Sequence, residues 1–192
     1  MKKKIFAIAM MVACLAILTS TTLAYFTTSD VARNVITSGG IKVALVEQQK
    51  VGEDLLPYPN EPIEIMPGES VSKIVTVQGL DESAWIRMRF DVTVLDAEGA
   101  PMNVTAEEIA ALVQIPCDSG NWTYDSGWWY CNKVLTRGES TAPLFETVDF
   151  STTMGNAYQS STIYLDVKVE AVQSANNGST ALNAAGWPSY EE

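Results

Sequence analysis

From residue 41 onward, apolar and polar residues mostly alternate with period two, a spacing that predicts strands rather than helices. The longest run is Trp85 to Leu95, with Ile86, Met88, Phe90, Val92 and Val94 on one face and Arg87, Arg89, Asp91 and Thr93 on the other. One side of this strand is expected to be core. Ser161 to Val172 repeats the pattern, with Ile163, Leu165, Val167, Val169 and Ala171 facing in and Asp166, Lys168 and Glu170 facing out. Shorter strands are expected at Ile41 to Leu45, Val71 to Val77 and Leu144 to Phe150. A polar, proline-rich connection from Glu47 to Ser70 should end in the turn Met66-Pro67-Gly68-Glu69-Ser70.

One helix interrupts the strands. Thr105 with Glu108 three residues on fits a capping box, and Ile109, Ala110, Leu112 and Val113 supply about two turns of apolar stripe. An aromatic hairpin follows at Asn121 to Tyr130, turning at Asp125-Ser126-Gly127, and Met154 to Ser160 suits a short helical or looped crossing. The tail, 174–192, is rich in Asn, Ala, Ser and Gly and is expected to be loosely ordered. Long connections between alternating strands imply a mainly β fold: an antiparallel two-sheet β-sandwich of jelly-roll type with one short helix, over residues 41–173.

The N-terminus follows different rules. Lys2, Lys3 and Lys4 precede the uncharged apolar run Ile5 to Leu18, and Thr22 and Ala24 place small side chains at −3 and −1 of a cleavage site. A signal peptide over 1–24 is therefore expected, with Tyr25 as the new N-terminus. The alternative is an uncleaved anchor, because the apolar run extended to Phe26 nearly spans a bilayer. Export makes the expected product secreted, and extracellular or surface-associated.

Charge narrows the partners. Residues 1–24 hold three lysines and no acids, so the remaining 168 residues carry nine basic and 23 acidic side chains, a net charge of −14. Nucleic acid and anionic membrane are repelled by such a field, and the membrane is met only through the leader before cleavage. Cys117 and Cys131 flank turn-rich sequence, and an oxidising compartment permits them to bridge; a disulfide is expected. The chain contains no histidine, so an ordinary zinc site and a catalytic triad both lack a needed residue. Glu61, Glu64, Glu69, Glu82, Glu107 and Glu108 are scattered over turns and a helix start. No enzyme activity, metal or cofactor is expected.

Several short stretches carry a resemblance. Thr22-Leu23-Ala24, then Tyr25-Phe26-Thr27-Thr28-Ser29-Asp30, then Ile36 to Val43 with its Ser38-Gly39-Gly40 opening, look like the N-terminal signature of the TasA/camelysin family. Further similarities are Met66-Pro67-Gly68-Glu69, Ser83-Ala84-Trp85-Ile86-Arg87, Trp122-Thr123-Tyr124 with Gly127-Trp128-Trp129-Tyr130, and Gly155-Asn156-Ala157-Tyr158-Gln159. The resemblance implies a subunit of an extracellular biofilm-matrix fibre, processed by a SipW-type signal peptidase. In such fibres the freed N-terminus, here Tyr25, Phe26, Thr27 and Thr28 within a donor-like segment 25–40, completes the sheet of a neighbouring subunit. Other matrix proteins or polysaccharide are further partners it implies.

The physics of a short β-forming segment with aromatics agrees with strand donation. The same segment also suits a first strand folded back into its own domain, since both uses need the same edge. Two other classes compete. A monomeric carbohydrate-binding module would use Trp122, Trp128 and Trp129, although Trp128 and Trp129 must point to opposite faces of a strand and suit core and cross-strand pairing. A camelysin-like metallopeptidase finds no supporting residues here.

Overall fold

In the computed structural model, which describes residues 26–29, 34–37 and 40–188, the two longest alternating runs form the two longest strands and pair with each other. The strands in chain order are β1 (Phe26–Ser29), β2 (Asn34–Thr37), β3 (Val43–Val51), β4 (Asp54–Pro57), β5 (Ile63–Ile65), β6 (Ser70–Ser72) and β7 (Ile74–Gly79). After β8 (Ala84–Leu95) comes helix α1 (Ala106–Leu112), then β9 (Val113–Gln114), β10 (Trp122–Asp125), β11 (Trp128–Cys131), β12 (Thr147–Phe150) and β13 (Thr162–Gln173). The chain is mainly β, with antiparallel sheets stacked as in a sandwich and one short helix.

The first layer has the order β10-β11-β8-β13-β1-β5, with β2 also on β13. The second is built from β4-β3-β7 and β6-β12-β9. These run into each other through main-chain bonds: Leu144 N–H donates to Val75 O at 3.0 Å and Thr141 N–H to Val77 O at 2.9 Å. Between the layers lie Ile86, Met88, Ile163 and Val167 from one side and Leu45, Val75, Val77 and Phe150 from the other, all buried. This is the face that the alternating pattern assigned to the core in β8 and β13.

Local signals explain the punctuation. Thr105 Oγ1 accepts from Glu108 N–H at 3.2 Å, and Glu108 Oε2 accepts from Thr105 N–H at 2.8 Å, so the capping box closes in both directions. The β10–β11 turn places Ser126 at φ 47° and Gly127 at φ 82°, the left-handed pair that a two-residue hairpin needs. Gly79 answers a different demand, for a Cβ there would sit 2.4 Å from the Thr136 carbonyl oxygen.

Four expectations are corrected. The connection 47–70 is not structureless: β3 continues to Val51 and hairpins into β4, and β5 follows. The run Gln48-Gln49-Lys50 hid that extension because it has no apolar alternation. The strand expected at 71–77 breaks at Lys73, whose side chain turns inward to an ion pair with Glu47 at 3.2 Å beneath the Tyr58 ring. The N-terminal strands pair parallel, not antiparallel, with β13. Finally, the tail is ordered through residue 188: a short 3-10 turn at Ala181–Asn183 packs Ala181 and Ala184 onto Trp85, Trp128, Tyr130 and Val172. An aromatic outer face recruits the small residues that composition alone assigned to a loose end.

Candidate functional site

The N-terminal segment runs along one edge of β13. Thr27, Thr28 and Ser29 register with Thr162, Ile163 and Tyr164, and Asn34 to Thr37 continue in parallel against Lys168 to Ala171. On its other side β1 pairs antiparallel with β5, Phe26 opposite Ile65 and Thr28 opposite Ile63. No other described strand pairs with β5. Phe26, Thr27 and Thr28 therefore occupy a slot between two strands, and emptying it would leave unpaired main chain on both β13 and β5. The slot floor is apolar: Ile65 and Ile163 are buried, and Ile63 packs against the same core. In this single chain the segment is folded back into its own domain. Thr22, Ala24 and Tyr25, the expected cleavage residues, lie outside the described residues.

The aromatic hairpin does not present its tryptophans on one exposed face. Trp122 is buried in the main core, its Nε1–H donating to Ala142 O at 3.2 Å. Trp128 lies buried on the outer face of the first layer, and half-buried Trp129 packs against Tyr124, ring centres 5.1 Å apart. Tyr124 is the exposed ring of the set, at 60%.

Cys117 and Cys131 are free thiols, which corrects the expected disulfide. Cys131 registers directly opposite Trp122 on the hairpin, so an indole holds the cross-strand position, while Cys117 precedes the ladder. Burial pushes the Cys117 thiol up to about 11 and also raises that of Cys131. At pH 8 the thiolate fraction of Cys117 should then be on the order of a hundredfold below that of an ordinary cysteine. Iodoacetamide labelling of Cys117 in the folded chain, followed by mass spectrometry, should accordingly run ~100-fold slower than in denaturant. Equal rates would refute the burial assigned to Cys117.

The carboxylates serve local structure. Glu69 Oε2 accepts from Met66 N–H at 2.8 Å, and Glu108 is held below the usual carboxylate range by the Thr105 N–H that it caps. Asp118 is lowered likewise, chiefly by the Asn121 side-chain amide at 2.7 Å. Among the described residues no three His, Cys, Asp or Glu side chains gather in a way that could hold a metal ion. No helix among them is long and apolar enough to cross a membrane.

What sequence reasoning missed lies on the face it assigned to solvent. Glu170 is fully buried and Arg87 nearly so, with Arg87 Nη2 2.6 Å from Glu170 Oε2. The guanidinium stands 4.2 Å from the Trp128 ring centre and 4.7 Å from that of Trp187, and donates to Pro188 O at 3.2 Å. The signal was available only as the coincidence of an Arg on one long strand, an acid on the other, and three aromatics elsewhere. No family model, curated protein or solved structure matches the chain.

Proposed function

We propose that this protein is a secreted structural subunit of an extracellular fibre, a jelly-roll-type sandwich that polymerises by strand exchange after its leader is removed. The observation that carries this reading is the position of β1, inserted between β13 and β5 and contributed by the extreme N-terminus of the domain. A strand so placed can leave its own slot and fill the identical slot of a neighbour, because every contact it loses is regained there. Where each copy donates to one neighbour and receives from another, the exchange is head-to-tail and extends into a filament unless the rotation closes a ring. Gly40, at φ 79° in a region that suits glycine, stands between the donor segment and β3 and can turn the chain there. The resemblance of the N-terminal stretch to the TasA/camelysin family supports the same assignment, and makes cleavage by a SipW-type peptidase the switch that frees the donor. Other matrix proteins and polysaccharide are the partners that such a fibre would meet.

The test compares a chain beginning at Tyr25 with one beginning at Val31, by size-exclusion chromatography and negative-stain microscopy. Filaments are expected from the longer chain alone. Adding the peptide Tyr25 to Asp30 to the shorter chain should fill its slot and raise its melting temperature. If both chains stay monomeric at high concentration, or both build filaments, strand exchange by β1 is wrong.

A further inference from the structure

A second edge of the same layer is open. Along β8 the even-numbered residues point their main-chain groups away from β13: Ala84 exchanges bonds with Leu135, Met88 registers with Trp129 of β11, and Val94 O accepts from Met102 N–H at 2.8 Å. Phe90 and Val92 lie between these anchors, and no described strand pairs with them on that side. Their side chains face the core but stay only half-buried, because a crevice of about 560 Å³ opens between them and Ile109, Ala110 and Val113 of α1 and β9. A strand edge beside an apolar, helix-walled crevice is the form of a groove that receives an extended segment.

The hairpin of β3 and β4 offers such a segment. All four residues of β4 are exposed, and Val51, Leu55 and Leu56 stand 52%, 53% and 43% exposed, an unusual concentration of apolar side chains at one tip. Tyr58 N–H donates to Glu47 O, which fixes the ladder so that Leu55 directs its N–H and C=O outward, away from β3. Four residues span about 13 Å, and the open stretch of β8 between Met88 and Val94 spans about 20 Å, so the one fits along the other. In the second layer β4 is one edge and β9, beside the crevice, is the other. Tip and groove thus sit on opposite sides of one subunit.

We propose that the groove between β8 and α1 binds the β3–β4 hairpin of a second copy of this chain. Leu55 pairs its main chain with Phe90 and Val92, and the face of the hairpin that carries Val51 and Leu56 packs into the crevice. Opposite placement makes the contact head-to-tail, so each copy gives a hairpin and receives one. The two side chains on that face, Val51 and Leu56, offer about 170 Å² of apolar surface, well short of the roughly 800 Å² per partner of a stable complex. The contact alone is therefore weak: it forms at high protein concentration, and more strongly wherever another contact already holds the copies close. Both copies are acidic, so salt strengthens it by screening their repulsion. It is independent of strand exchange by β1.

The experiment places p-benzoylphenylalanine at Leu55 in chains beginning at Tyr25 and at Val31, mixes each with isotopically heavy chain, and irradiates at 0.15 and 1 M salt (about 8 and 3 Å of screening length). Light–heavy cross-links to Phe90–Val92 or to Ile109–Val113 are expected, in greater yield at high salt. Ile109→Asp in the heavy chain should cut that yield about tenfold, and Val51→Asp in the light chain, a change at an exposed site outside the core, should do the same. Cross-links confined to one chain, or reaching other surfaces, overturn the proposal. Groove cross-links that persist in the Val31 chain leave it standing even where strand exchange fails, and filaments formed without them leave strand exchange standing alone.

Discussion

Replacing Glu170 with alanine should lower the free energy of unfolding by about 3–5 kcal/mol, because it strips a buried guanidinium of its carboxylate. Arg87 holds that carboxylate through two nitrogens, Nε at 2.8 Å and Nη2 at 2.6 Å, and both residues sit where water does not compensate. For a domain of this size the melting temperature should fall by roughly 10 °C. Urea denaturation followed by tryptophan fluorescence measures it, since Trp128 stacks on the affected group. The double variant Glu170→Leu, Arg87→Met should be far milder, near neutral, because removing both charges leaves no ion to desolvate. A single variant as stable as the parent would show that the pair is hydrated in solution.

Ending the chain after Gln173 should be comparably damaging, at about 3–6 kcal/mol from apolar exposure alone. Residues 174–188 cover Trp85, Trp128, Tyr130 and Val172, and Asn177 O accepts from the Trp85 indole at 2.8 Å. Asn177 is itself the clasp of the tail, donating to Gln173 O and Ala185 O while its own Oδ1 accepts from Ala185 N–H. The truncated chain should bind a hydrophobic dye and melt earlier while keeping its far-ultraviolet circular dichroism. Trp187 and Glu170 serve the same guanidinium, so truncation and Glu170→Ala combined should cost less than the sum of the two. Strict additivity would mean that the tail does not touch Arg87.

Both effects bear on a face that pattern reading assigned to solvent, and the reason is general. Period two states which residues share a side of a strand, not whether that side is covered. In β8 and β13 the inward sets were legible because Ile86, Met88, Ile163 and Val167 leave no apolar alternative. The outward sets contain charges, and charge is ordinarily read as exposure. Here Glu170 faces Arg87 in register across the two strands, and the pair is roofed by residues from β11 and the tail. Those partners are separated by up to 101 positions, as in the bond from Arg87 to Pro188, so no local window contains them.

The candidate assembly site divides in the same way. That Phe26, Thr27 and Thr28 are a β-forming segment was plain from their composition, and the helix cap at Thr105 and the turn at Ser126-Gly127 were fixed by a few adjacent residues. Local chemistry decides such features, because their partners lie within one turn of chain. That β1 enters between β13 and β5, in parallel with the one and antiparallel to the other, depended on pairing 135 residues away to β13 (Thr27 with Thr162) and 39 away to β5 (Phe26 with Ile65). That Cys117 and Cys131 remain thiols followed from the register that put Trp122 opposite Cys131. The sequence by itself determined the long strands β8 and β13, their inward faces and the capped helix, all set by short-range periodicity and capping. Tertiary structure decided which edges are filled, which are open and which charges are buried, because these depend on the free energy of long-range contacts that alternation does not encode.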